Sequence, residues 1–150
     1  MDQIKKELIA KCNSFVEQRM QTISEIMSSN QIALQSETKS SAGDKHETGR
    51  AMLQLEMEKA SLQLASVNRM KETLDKINFH TISDVSKLGS LVITSSGNYF
   101  LAISLGKIEM GNDVYYAVSL SSPIGKNLFG TKQGDEINFN GKQIKILNIF

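Results

Sequence analysis

Apolar side chains recur every seven residues through the first half of the chain. Ile9, Val16 and Ile23 form one series, and Met20, Met27 and Leu34 form a second four residues further on. After a polar interval the pattern resumes with Leu53, Ala60, Val67 and Leu74, with Met57 and Leu64 at the four-residue offset and Met70 and Ile77 continuing the stripe. Seven-residue spacing with two apolar positions per repeat is the seam of a coiled coil. Two seams of similar length on either side of a short interval predict an antiparallel helical hairpin. At about 1.5 Å per residue, arms of roughly 30 residues are about 45 Å long, so the reversal is expected to stand clear of any compact domain. The methionines at these spacings are read as packing groups.

Residues 40–50, Ser-Ser-Ala-Gly-Asp-Lys-His-Glu-Thr-Gly-Arg, contain no large apolar side chain. A helix pair with nothing to bury at its end presents that end to a partner. From Leu88 the period shortens to that of strands: Leu88–Thr94, a turn at Ser95–Asn98, Tyr99–Ser104, and Val114–Ser119 after a turn at Gly111-Asn112-Asp113. Asn138-Phe139 and Gln143–Ile149 flank Asn140-Gly141, a strong hairpin signal because both turn residues must take positive φ. Between these lies Ser122-Pro123-Ile124-Gly125-Lys126-Asn127-Leu128-Phe129-Gly130. Serine at the cap, proline at the first helical position and glycine past the end predict a short helix, with Ile124, Leu128 and Phe129 as its apolar face. About five strands around one helix make a small α+β domain. The expected organisation is a hairpin over 1–79 with its tip at 40–50, and a sheet domain over 80–150 that begins with the link at His80–Lys87.

Composition narrows the function. Of 150 residues 40% are hydrophobic and 22% charged, with a net charge of +1. Basic and acidic residues balance in each half, 11 against 11 in 1–77 and 6 against 5 in 78–150, which gives no basic surface for autonomous duplex binding. No apolar run of membrane-spanning length occurs, and the N-terminal residues enter an amphipathic helix instead of a signal-peptide core. Cys12 is the one cysteine, so no intrachain disulfide forms, in keeping with a reducing, cytoplasmic compartment. The expected state is a cytoplasmic monomer without membrane contact.

Candidate chemistry concentrates at the tip. If Asp44 opens the second helix, Glu47 lies on the same face with Cβ atoms about 5–6 Å apart, and the two carboxylates can share a divalent cation. Magnesium takes six oxygens, so such a pair works where a partner supplies the rest. The same spacing fits a capping box, in which both acids satisfy free backbone N–H groups; the two roles are compatible. Lys39, Lys45 and Arg50 surround the acids and are candidates for phosphate contact, while His46 is a lone histidine without a second at ligand spacing. Cys12, in a helical repeat with no histidine nearby in sequence, is a poor acyl-transfer nucleophile.

The blocks Gly89-Ser90-Leu91-Val92, Ser119-Leu120-Ser121-Ser122-Pro123-Ile124-Gly125, Leu128-Phe129-Gly130 and Gly134-Asp135 resemble the C-terminal domain of the bacterial Gre transcript cleavage factors, over roughly residues 88–149. The resemblance implies an FKBP-like fold that docks on RNA polymerase at the rim of its secondary channel, with Ser122, Pro123, Ile124 and Gly125 as partner-binding residues. The first half is similar to the family's coiled coil, which enters the channel and brings an acidic tip to the catalytic Mg²⁺. Asp44 and Glu47 fall at the family's Gly-Asp-x-x-Glu pair. The family follows that pair with asparagine and soon after an acidic residue and an aromatic, whereas Thr48-Gly49-Arg50-Ala51 stands here.

The implied function is a transcription elongation factor, not an enzyme by itself, that stimulates cleavage of backtracked RNA through carboxylates lent to the polymerase. It would have no cofactor of its own, would share the polymerase's Mg²⁺, and would meet nascent RNA and template DNA only within the transcription complex. A channel-binding regulator without cleavage activity is the alternative on the same fold. An FKBP-type prolyl isomerase is the alternative of a different class, although the second half has no tryptophan with which to build an aromatic pocket.

Overall fold

The computed structural model describes residues 1–39, 44–78, 80 and 82–150, the side chains of 37–39 and 44–46 excepted. Nine elements follow in order: helices α1 (Asp2–Lys39) and α2 (Asp44–Asp75), strands β1 (Leu91–Thr94), β2 (Gly97–Ala102), β3 (Gly106–Met110) and β4 (Asp113–Ser119), helix α3 (Pro123–Leu128), and strands β5 (Glu136–Phe139) and β6 (Lys142–Ile149). The class is α+β. Two compact units divide the chain, Phe15–Lys71 in one and Met1–Ser14 with Glu72–Phe150 in the other.

In the helical unit the seam is where the heptads place it. Val16, Ile23, Ala60 and Val67 are buried, and the positions at the four-residue offset are half-buried. Both helices contribute to this unit, and Gln63 of α2 lines one recess with Phe15, Arg19 and Ile26 of α1, so the two pack side by side. Burying an aliphatic side chain contributes about 1.5–3 kcal/mol, and the long seam offsets the modest propensity of α2, which carries Gly49 in its second turn. Asn30 extends the Ile9–Val16–Ile23 series by seven and is also buried at 7% exposure, with no hydrogen-bond partner for its Nδ2 among the described residues. On the outside of α1, the Arg19 guanidinium lies 4.9 Å from the Phe15 ring centroid.

The other unit is built on a six-stranded sheet in the order β3-β4-β2-β1-β6-β5. All pairs are antiparallel except β2 with β4. That parallel pair arises because β3 turns back through Gly111-Asn112 and β4 inserts between β3 and β2. One face carries the core of Val92, Leu101, Leu128 and Ile146, all fully buried, with Val118, Leu120, Ile124 and Ile137 packed around it. Leu91, Phe100, Ala102, Ile108, Tyr115 and Ala117 are buried as well, as are Leu8, Cys12, Leu74 and Ile77 from the helix ends in the same unit.

Several expectations change in detail. Strand β1 begins at Leu91, not Leu88, because Gly89 turns the chain at φ 89° and a Cβ there would stand 2.8 Å from Ile77 Cγ2. The β1–β2 turn is tighter than Ser95–Asn98: Thr94 pairs with Gly97, and the Thr94 hydroxyl accepts from the N–H groups of Ser96 and Gly97, both at 3.1 Å, while donating to Gly97 O at 2.7 Å. A sixth strand, β3, joins the expected five. Its single buried side chain is Ile108, flanked by a Lys107–Glu109 ion pair at 2.9 Å, so its apolar signal is weak. Asn140-Gly141 is the expected two-residue hairpin, with φ of 53° and 76° and Phe139 paired to Lys142.

Candidate functional site

Asp44 is the first residue of α2 and Glu47 stands three residues on, so the backbone holds the two positions about one helical turn apart. Glu47 is exposed, Thr48 is exposed and engaged, and Gly49 and Arg50 are half-buried. Arg50 turns Nε into a buried position without a hydrogen-bond partner among the described residues. The side chains of Lys39, Asp44, Lys45 and His46, the cap position ahead of Asp44, and residues 40–43 lie outside the described residues. Among the described residues no three His, Cys, Asp or Glu groups converge as a metal-ligand set. The donors Asp44 and Glu47 would provide are carboxylate oxygens, the type Mg²⁺ takes, with its remaining positions left to other groups.

The second candidate region, Ser122–Gly125, is resolved in full. Ser122 caps α3: its Oγ accepts from the Gly125 N–H at 3.1 Å and donates to Ser119 O at 2.6 Å. Gly125 is required by the same turn, since a Cβ on it would lie 1.9 Å from Ser119 O and 2.8 Å from Ser122 Oγ. Ile124 packs against the sheet core. Three of the four motif residues therefore serve the local fold, and the surface they create is formed by Pro123, Lys126, Asn127 and Phe129, all exposed.

Phe129 overturns the expectation of an apolar helix face reaching it. The helix ends at Leu128, and Phe129, as the C-cap, takes an extended conformation (φ −61°, ψ 132°) with its N–H on Gly125 O at 3.0 Å. Its ring is 55% exposed, whereas Leu128 is fully buried. Sequence reasoning placed it one residue too far inside the helix; Gly130, with φ 80° directly after it, is the signal that the chain has already left the helix.

Behind α3 the incoming segment is strapped to its C-terminal end. Ser86 Oγ donates to Leu128 O, lies 3.1 Å from Thr131 Oγ1 and accepts from Thr131 N–H at 2.9 Å. The Ser86 backbone adds bonds to Thr131 O and from Gly130 N–H, both 2.9 Å. Nothing in the sequence marked Ser86 or Thr131. Cys12 is fully buried, and desolvation pushes its thiol up to about 11, which removes the thiolate a nucleophile needs. His80 is exposed, with its N–H on Asn78 Oδ1 at 3.0 Å. Among the described residues no helix is long and apolar enough to cross a membrane.

No protein-family model matches the chain. No curated protein matches it either. Among solved structures it is similar to one described as the structure of the transcription factor Gfh1, at 16% sequence identity and a TM-score of 0.34, over 94% of this chain and 92% of that one.

Proposed function

We propose that the chain is a Gre-type transcription factor that binds RNA polymerase through its sheet unit and carries Asp44 and Glu47 to the polymerase's catalytic magnesium. The observation that carries this reading is the pairing, in one chain, of a two-helix hairpin whose second helix opens on Asp44-x-x-Glu47 with a sheet unit bearing the Ser122-Pro123-Ile124-Gly125 turn. The docking surface on this reading is Pro123, Lys126, Asn127 and Phe129, held in place by the Ser122 cap and by the close approach of Gly125 to Ser119. An exposed aromatic amid small and polar groups is the composition of an interface anchor.

In the hairpin, α2 sets positions 44 and 47 about one helical turn apart and leaves Glu47 in solvent. Two such groups hold Mg²⁺ weakly, so the polymerase and its RNA supply the other oxygens. A magnesium ion held there would lower the pKa of a bound water for attack on the RNA backbone. The chain's part is to present negative charge at a set spacing and to orient it.

The test is backtracked elongation complexes scored for endonucleolytic shortening of the nascent RNA. Wild type should stimulate shortening, and Asp44→Asn and Glu47→Gln, which keep capping ability, should abolish it without loss of polymerase binding. Full stimulation by both variants refutes metal donation. The sequence Thr48-Gly49-Arg50, where the family carries asparagine followed by an acid and an aromatic, favours one second reading, a regulator that occupies the channel without stimulating cleavage. Wild type that competes for the channel but shortens no RNA supports that reading.

A further inference from the structure

Among the described residues, Asn30 Nδ2 and Arg50 Nε are the buried side-chain atoms that have no hydrogen-bond partner. Both stand where the heptads would place an apolar group. Asn30 follows Ile9, Val16 and Ile23 at seven-residue spacing, and Arg50 precedes Met57 and Leu64 in the same way. Each is a donor taken out of water and given no acceptor, which disfavours the closed helix pair. Opening returns both to solvent, where water accepts from them.

The apolar packing around them is thin. Val16 and Ile23 of α1 and Ala60 and Val67 of α2 are buried, whereas among the described residues no apolar side chain of 24–36 or 47–59 is. Met27, Leu34, Leu53 and Met57 are half-buried there, and Ile26, Ile32, Met52 and Leu55 are exposed. Over these two lengths the usual pattern is inverted, with polar groups in the seam and large apolar groups outside it. Gly49 lies in the same part of α2 and favours the open chain through the backbone freedom it regains there. These are the parts of α1 and α2 nearest in sequence to the interval 40–43, so they can part while the seam at 16–23 and 60–67 stays closed.

We propose that residues 24–36 and 47–59 form one cooperative segment that opens while the remainder of the helical unit and the sheet unit stay folded. Opening this segment costs less than global unfolding, because it exposes little buried apolar surface and gives water to two unpaired donors. Position 47 lies in the segment and position 44 adjoins it, so on the function proposed above the closed form is the one that holds the two carboxylates at a set spacing. The opening itself does not rest on that function.

The experiment is native-state hydrogen exchange on the full chain, read at single amides over a series of sub-denaturing urea concentrations. It contains no polymerase, so its failure leaves the transcription reading untouched. Amides within 24–36 and 47–59 are expected to converge on one opening free energy with a shared urea slope, below that of 16–23 and 60–67. Asn30→Leu and Arg50→Met each remove an unpaired donor and should slow exchange by about tenfold across both lengths at once, while amides of the sheet change little. Arg50→Met carries the same test from the other helix if Asn30→Leu does not fold. Protection equal to that of 16–23 and 60–67 would overturn the proposal. So would a smooth decline toward 39 and 44 without a urea slope, which is fraying, or slowing confined to the substituted helix.

Discussion

Replacing Gly125 with alanine should unseat α3 and with it the surface around Phe129. The new Cβ would stand 1.9 Å from Ser119 O, where ordinary contact begins at 3.4 Å, so the turn must open by more than 1 Å. Overpacking of this kind costs about 1–3 kcal/mol. Opening the turn also stretches the Gly125 N–H to Ser122 Oγ bond that caps the helix, about 1 kcal/mol more. Alanine's better helix propensity returns roughly 0.5–1 kcal/mol. The net expectation is a loss of about 2–3 kcal/mol, or roughly 5–10 °C in melting temperature for a chain of this size. Tyrosine fluorescence is the appropriate probe, because the chain has no tryptophan and its three tyrosines are Tyr99, Tyr115 and Tyr116, all on the sheet. Ser122→Ala serves as the comparison, losing the cap without adding a clash. A change below about 0.5 kcal/mol in Gly125→Ala, the size of a neutral surface substitution, would show that the turn yields freely and that the glycine has another purpose.

Leu128→Ala should cost about 2–5 kcal/mol by thermal unfolding, while Phe129→Ala, one residue away but exposed, should stay within about 0.5 kcal/mol and still reduce polymerase capture; equal losses of stability would contradict the cap geometry. Asn30→Leu should raise the far-UV melting temperature of the helical unit, because it removes a buried amide nitrogen without a partner, a penalty of about 1–3 kcal/mol; a lower melting temperature would mean that Nδ2 is satisfied in solution. Cys12 should react slowly with thiol reagents at pH 8 until denaturant is added. Its folded pKa of about 11 lies above the ordinary 9.0, so the stability it contributes is complete below pH 9 and falls as pH rises through 11; Cys12→Ser should flatten that part of the profile, and an unchanged slope would assign it to other groups.

Heptad spacing made the hairpin legible, since among the described residues every buried seam position in the helical unit except Asn30 is an apolar residue at a repeat position. Asn30 escaped because an apolar pattern cannot announce a polar group in the same seam. Asn140-Gly141 and Ser122-Pro123 were readable because turn and cap chemistry is local. What was not readable depends on contacts distant in sequence. Gly89 reads as part of a strand until Ile77 is placed against it, β3 carries one buried residue in five, and the Ser86 strap joins positions 45 residues apart. At the tip, Asp44 and Glu47 were legible as a spacing, whereas the half-burial of Arg50 follows from packing that no residue pattern encodes.

The position of β6 beside β1 has a consequence in time. Strand β1 ends at Thr94, but the neighbour that completes its second edge ends at Ile149. At about 5–20 residues per second of synthesis, those 55 residues take roughly 3–11 s to emerge, whereas a helical hairpin of local contacts can form in well under a millisecond. During that interval Leu91, Val92 and Ile93 present an open apolar edge. The helices are thus expected to be in place on the nascent chain while the sheet is still waiting for its last strand, and substitutions that slow β6 pairing should lower soluble yield before they alter the melting temperature of the finished protein.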